Sequence, residues 1–156
     1  MLYLALTHTV GKMNRLFANT TRTALDVLVL SLALMMAYAV RFDGAIPPDM
    51  LKRLFLGMPY VVFLQYSLLH LYGVPRFAWR FVGLRESLRI LLALVLSMFV
   101  LIGLRFVAIE LQTHQVMARH LLVPLGVIAA DLAISFLGIT GMRMLYRLGA
   151  EQVANK

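Results

Sequence analysis

The chain has 156 residues, of which 62% are hydrophobic and 14% charged, against about 45–50% and about 25% in a soluble domain. Too few polar side chains remain to cover a globule of this size, which excludes a water-soluble single domain. Fifteen Lys and Arg against seven Asp and Glu give a formal net charge of +8, and no cysteine is present. That balance points to a membrane surface with anionic lipid rather than to nucleic acid, and it excludes disulfides, thiolate metal sites and a cysteine nucleophile.

Met1 to Val10 is fairly apolar, but Gly11 and Lys12 end that run too early for it to span a bilayer. Residues 1–23 are therefore expected to be a cytoplasmic leader, loose or interfacial. The first long apolar stretch runs from Ala24 to Val40 and contains one charge, Asp26. Near the start of its span, Asp26 can gain from a helix N-terminal dipole or meet a cytoplasmic arginine. The basic flank, the apolar run and Ala37-Tyr38-Ala39 resemble a signal peptide. The long flank, Asp26 and the further spans favour an uncleaved helix. Next comes Arg41-Phe42-Asp43-Gly44-Ala45-Ile46-Pro47-Pro48-Asp49, a turn in which Asp-Gly tolerates positive φ and the prolines block helix. Asp49 is expected to cap the helix that follows.

The second stretch runs from Leu54 to Tyr72, with Gln65 and His70 as its polar members and Pro59 as a potential kink. The connection after it, from Gly73 to Ser87, is the most informative loop. Pro75 suits a first helical position. At 100° per residue Phe77, Phe81 and Leu84 share one face, Arg76 and Arg80 a neighbouring one, with Trp79 beside them. This composition predicts a short amphipathic helix in the membrane interface, rings at headgroup level and guanidinium groups toward phosphates. An ordinary aromatic belt with a positive-inside loop gives the same pattern. The third stretch runs from Leu88 to Phe106 with Arg89 and Arg105 near its ends, and the fourth from Leu121 to Leu145 with Asp131 inside and Arg143 near its end. Each is long enough, at about 1.5 Å per residue, to cross a hydrocarbon core of about 30 Å. The expected fold is all-α and polytopic: four transmembrane helices over residues 24–147, then a cytoplasmic tail over 148–156. Ten of the Lys and Arg flank the N-terminus, the second connection and the tail, and five flank the other two connections. The positive-inside bias places both termini and the second connection in the cytoplasm.

Candidate chemistry is sparse. Asp131, about ten residues into its span, is expected near the bilayer midplane. There a carboxylate is costly and must face other helices, either as a helix–helix hydrogen-bonding group or as a proton relay. The four histidines, His8, His70, His114 and His120, are separated by the topology, and no His/Asp/Glu cluster suits a metal. Neither Gly-x-Gly-x-x-Gly nor a Walker loop occurs. Gly138-Ile139-Thr140-Gly141 instead suits close helix packing. Arg143, Tyr146 and Arg147 read as an anchor where the last helix leaves the membrane.

Three segments carry a family resemblance. They are Asp26 with Leu30-Ser31-Leu32-Ala33 and Ala37-Tyr38-Ala39-Val40-Arg41-Phe42-Asp43-Gly44; Leu71-Tyr72-Gly73-Val74-Pro75-Arg76-Phe77-Ala78-Trp79-Arg80-Phe81-Val82-Gly83-Leu84-Arg85-Glu86-Ser87-Leu88; and Val123-Pro124-Leu125, Asp131 and Gly141-Met142-Arg143-Met144-Leu145-Tyr146-Arg147. Over residues 20–150 the chain resembles the N-terminal membrane region of the bacterial membrane-bound nucleotide-sugar epimerase/4,6-dehydratase family, polysaccharide-biosynthesis proteins of the capsule and O-antigen type. The middle segment is the most specific part. It departs from the family pattern where Arg76 follows Val-Pro in place of a tyrosine. In that family a Rossmann domain after the fourth span binds NAD(P) and converts UDP-sugars, and no position here matches its active site. The resemblance implies a fragment or a free-standing module that anchors a catalytic partner at the inner face of the bacterial cytoplasmic membrane. It implies no catalysis and no cofactor for these residues themselves. The expected partners are the bilayer, anionic headgroups and a cytoplasmic nucleotide-sugar enzyme or glycan-assembly proteins, with no nucleic acid. Arg76, Trp79, Arg80 and Arg85 are the expected contacts for headgroups or partner. The rival expectation is a small transporter or lipid-linked-sugar carrier with Asp131 as its polar core.

Overall fold

The computed structural model describes residues 2–74, 84–111 and 123–154. They form four helices: α1 (Leu2–Arg41), α2 (Pro48–Leu71), α3 (Leu84–Leu111) and α4 (Leu125–Ala154). Each contains a segment long and apolar enough to cross a membrane, Thr20–Arg41, Pro48–Leu71, Leu84–Glu110 and Leu125–Tyr146. The all-α polytopic expectation holds. In an 18-residue apolar window of each segment only 28–33% of the residues are buried inside the bundle. Large apolar side chains such as Phe63, Phe99, Phe106 and Leu137 face outward. A water-soluble bundle would carry polar groups there, so lipid is the medium that fits this surface.

The helix boundaries differ from the hydropathy reading for local reasons. α1 does not break at Gly11 and Lys12. It runs for 40 residues, about 60 Å, so the leader up to Thr20 continues the first span as helix. α2 begins at Pro48 rather than Leu54, because Lys52 and Arg53 interrupt apolarity without interrupting helix. Proline fits the first helical turn, where its missing N–H costs nothing. Asp49 is therefore not the cap. Pro47 occupies that position without a side-chain cap bond, and Asp49 sits in the first turn, where its charge favours the helix dipole. α4 starts at Leu125 rather than Leu121, since Pro124 disfavours helical backbone at the residue before it. The Pro124 carbonyl accepts from the N–H groups of Val127 and Ile128. Pro59 lies inside α2 without ending it. The turn after α1 uses Asp43 and Gly44 at φ 49° and 80°, and the Gly44 N–H closes it on the Ala39 carbonyl. The expected interfacial helix, with Arg76, Trp79 and Arg80, lies outside the described residues.

Each helix packs against its neighbours in chain order, and α4 closes the ring on α1 in the most extensive of the four interfaces. α1 and α4 run antiparallel. Asp26 meets Arg143, Val29 meets Gly138 and Arg41 meets Gly126. These contacts span 15–17 residues, about 22–26 Å. One end of the bundle, here the proximal end, gathers Asp26, Val74, Leu84 and Arg143. The distal end gathers Arg41, Pro48, Arg105 and Gly126. Gly138 is a true close approach, since a Cβ there would stand 2.8 Å from Val29 Cγ1. Gly141, expected to share that role, would meet nothing within 4 Å. The apolar core falls into two clusters. Leu30, Val62, Leu69, Ile90, Leu94 and Ile139 belong to one, and Leu34, Tyr38, Leu54, Val61, Leu101 and Val127 to the other.

Candidate functional site

Two buried polar constellations interrupt this core. The first closes the proximal end. Arg143 on α4 reaches Asp26 on α1 with Nη2 to Oδ2 at 3.4 Å, and its Nη1 donates to the Val74 carbonyl at 3.4 Å. The two side chains are only 5% and 8% exposed, so neither ion is left to water. One guanidinium therefore ties the exit of α4 to α1 and to the residue that leads into the arginine–aromatic loop. Asp26 lies far along a continuous α1, not at a helix N-terminus, so the arginine rather than a dipole compensates it. Arg143 was expected, with Tyr146 and Arg147, to anchor the exit of the last helix. Its guanidinium points inward, where a buried carboxylate one helix away offers a partner of opposite charge. Thr23 and Tyr66 add a hydroxyl–hydroxyl bond of 3.0 Å between α1 and α2.

The second constellation crosses the bundle diagonally. Gln65 Nε2 on α2 donates to Asp131 Oδ2 on α4 at 2.5 Å, and Ser135 Oγ donates to Asp131 Oδ1 at 3.2 Å. All three residues are buried. Asp131 sits about 8 Å in from the Arg41–Gly126 contact, five residues along the helix. It is thus displaced from the middle toward the distal end, because its helix starts later than hydropathy indicates. Gln65 Oε1 is buried and has no hydrogen-bond partner. Buried polar atoms are normally paired, so this oxygen is an exception beside an otherwise hydrogen-bonded Asp131. Ser97, also buried, is satisfied by the Leu94 carbonyl one turn back.

The other expected site residues are dispersed. Arg85 is exposed on the first turn of α3, and Tyr146 is exposed on α4. The Arg147 side chain, like Arg76, Trp79 and Arg80, lies outside the described residues. Gln65 and Ser135 were not expected as partners of Asp131. The signal was available, since a polar residue in an apolar span seeks another polar residue across the bundle, and position 135 lies one turn from 131. Among the described residues no three His, Cys, Asp or Glu gather as a metal set would require.

Comparison with protein-family models, with curated proteins and with solved structures finds no match for this chain. The functional reading therefore rests on the residues and their geometry.

Proposed function

We propose that this chain is a non-catalytic membrane anchor of the kind that serves polysaccharide-biosynthesis nucleotide-sugar dehydratases and epimerases, holding a catalytic partner or domain at the cytoplasmic face of a bacterial inner membrane. The observation that carries this reading is the Arg143 tie. It ties Val74, which precedes Arg76, Trp79 and Arg80 in sequence, to α4 and α1, so the chain enters the arginine-rich connection from beside Arg143. Four spans hold such a module far more firmly than a single acyl chain. Tethering raises the local concentration of a partner next to membrane-bound substrates. Both termini and the second connection face the cytoplasm in this reading.

The test is recruitment of a soluble nucleotide-sugar enzyme to vesicles containing the full chain. Replacing Arg76, Arg80, Arg85 and Trp79 together is expected to abolish recruitment while the protein stays inserted, and unchanged recruitment refutes the platform. A second reading, a small transporter or lipid-linked-sugar carrier, is favoured by the unpartnered Gln65 Oε1 beside Asp131. It requires that Asp131→Asn stop transport in vesicles. The anchor reading expects only a modest change in packing.

A further inference from the structure

The distal end holds donors without acceptors. Tyr38 is fully buried, and its hydroxyl has no hydrogen-bond partner. It belongs to the same core cluster as Val123, Val127 and Ile128 near the start of α4. Arg53 on α2 precedes Leu54, a member of the same cluster, and Arg53 Nε is buried and unpartnered too. One turn after Tyr38 on α1, Arg41 lies across the start of α4. Its Nε and Cδ stand 2.9 and 3.0 Å from where a Cβ of Gly126 would be.

A cation in that position is electrostatically wrong by itself. The N-terminus of a helix carries a partial positive charge and unsatisfied N–H groups. The Pro124 carbonyl serves Val127 and Ile128, which leaves Leu125 and Gly126 ahead of the ladder. Asp43 and Asp49 are exposed at the same end, yet no described ion pair joins either to Arg41 or Arg53. Arg105 is already committed, donating to the Val123 carbonyl at 2.6 Å and so holding the segment that leads into α4. Two guanidinium groups, a buried phenol and a helix N-terminus thus share the distal end, and the Tyr38 hydroxyl and Arg53 Nε lack a hydrogen-bond partner there. An anion with several oxygens is the kind of ligand such donors take.

We propose that the distal end of the bundle is a binding site for a phosphate group, with Arg41, Arg53, the Tyr38 hydroxyl and the first turn of α4 as its donors. Arg41 and Gly126 are exposed while Tyr38 is buried, so the site opens outward at the rim of the apolar bundle. A lipid phosphate can enter there with its chains against the outer helix faces. A free phosphate presents the same oxygens.

The test is native mass spectrometry of the full chain in an uncharged detergent, titrated with phosphatidylglycerol and, in parallel, with diacylglycerol, which lacks the phosphate. Wild type is expected to retain phosphatidylglycerol and not diacylglycerol. Tyr38→Phe, which keeps the ring packed, and Arg53→Gln are each expected to weaken retention about tenfold, the loss of one strong hydrogen bond. Arg41→Gln is expected to do the same. Lys52→Gln, an exposed cation at the same end, is expected to stay within about twofold. Inorganic phosphate as competitor separates the sources. Displacement identifies a site that takes the free ion, failure to displace identifies a lipid site, and both support the phosphate assignment. Equal retention of diacylglycerol, wild-type affinity in Tyr38→Phe and Arg53→Gln, or an equal loss in Lys52→Gln overturns it.

Discussion

Removing one ion of the proximal pair tests whether Arg143 fastens the bundle. At 3.4 Å and an effective dielectric constant of about 20, the Asp26–Arg143 attraction is about 5 kcal/mol. Desolvating the two ions costs several kcal/mol each and offsets most of it, so the net worth of the intact pair is small. The single variants behave otherwise. Arg143→Met leaves the Asp26 carboxylate buried without its cation and the Val74 carbonyl without this donor. Asp26→Leu leaves the guanidinium without its anion. Each is expected to destabilise the bundle by about 3–5 kcal/mol. The double variant Asp26→Leu/Arg143→Met replaces both ions by apolar groups and is expected to return to within about 1–2 kcal/mol of wild type. Equilibrium unfolding in mixed micelles, followed by the fluorescence of Trp79, the single tryptophan, measures all four corners of the cycle. Single variants within about 1 kcal/mol of wild type, or a double variant whose loss equals the two single losses combined, refute the pairing.

The remaining expectations use the same assay. Gly138→Ala places a Cβ 2.8 Å from Val29 Cγ1, a stiff β-branched neighbour, and is expected to cost about 1–3 kcal/mol. Gly141→Ala meets nothing and is expected to be neutral or to stabilise by up to about 1 kcal/mol through helix propensity; the reverse order contradicts the α1–α4 register. Asp131→Leu strips Gln65 and Ser135 of their acceptor and is expected to lose about 1–3 kcal/mol. Asp131→Asn, whose amide can donate to the unpartnered Gln65 Oε1, is expected to lose less than Asp131→Leu, and a larger loss for Asn counts against the diagonal contact. Tyr66→Phe removes the 3.0 Å bond to Thr23 and is expected to cost about 0.6 kcal/mol, the average for such bonds between membrane helices.

What could be read from the sequence is what periodicity and hydropathy encode. Four spans follow from runs that cannot be solvated, and their number and order stand in the structure. Boundaries are less legible, because a charge ends an apolar run without ending the helix. Lys52 and Arg53 lie within the first two turns of α2, and Arg85 and Glu86 within the first turn of α3. Helix ends are set by backbone chemistry at Pro47, Gly44 and Pro124, not by polarity. Asp26 and Asp131 stood out as costly charges, but their partners lie 117 and 66 residues away in sequence. Only the antiparallel register of the helices brings them together. Tyr38, Arg41 and Arg53 carried no local signal. Each looks like an ordinary interfacial residue until the packing leaves the Tyr38 hydroxyl and Arg53 Nε buried without a partner and sets Arg41 over Gly126.

Sidedness is the most direct test of the anchor account. The chain lacks cysteine, so a single Cys can be introduced at Trp79 in the second connection and, separately, at Gly44 in the first. Membrane-impermeant maleimide is then applied to vesicles of known orientation. The account expects position 79 to be labelled only from the cytoplasmic side and position 44 only from the opposite side. Labelling of position 79 from the external side contradicts it.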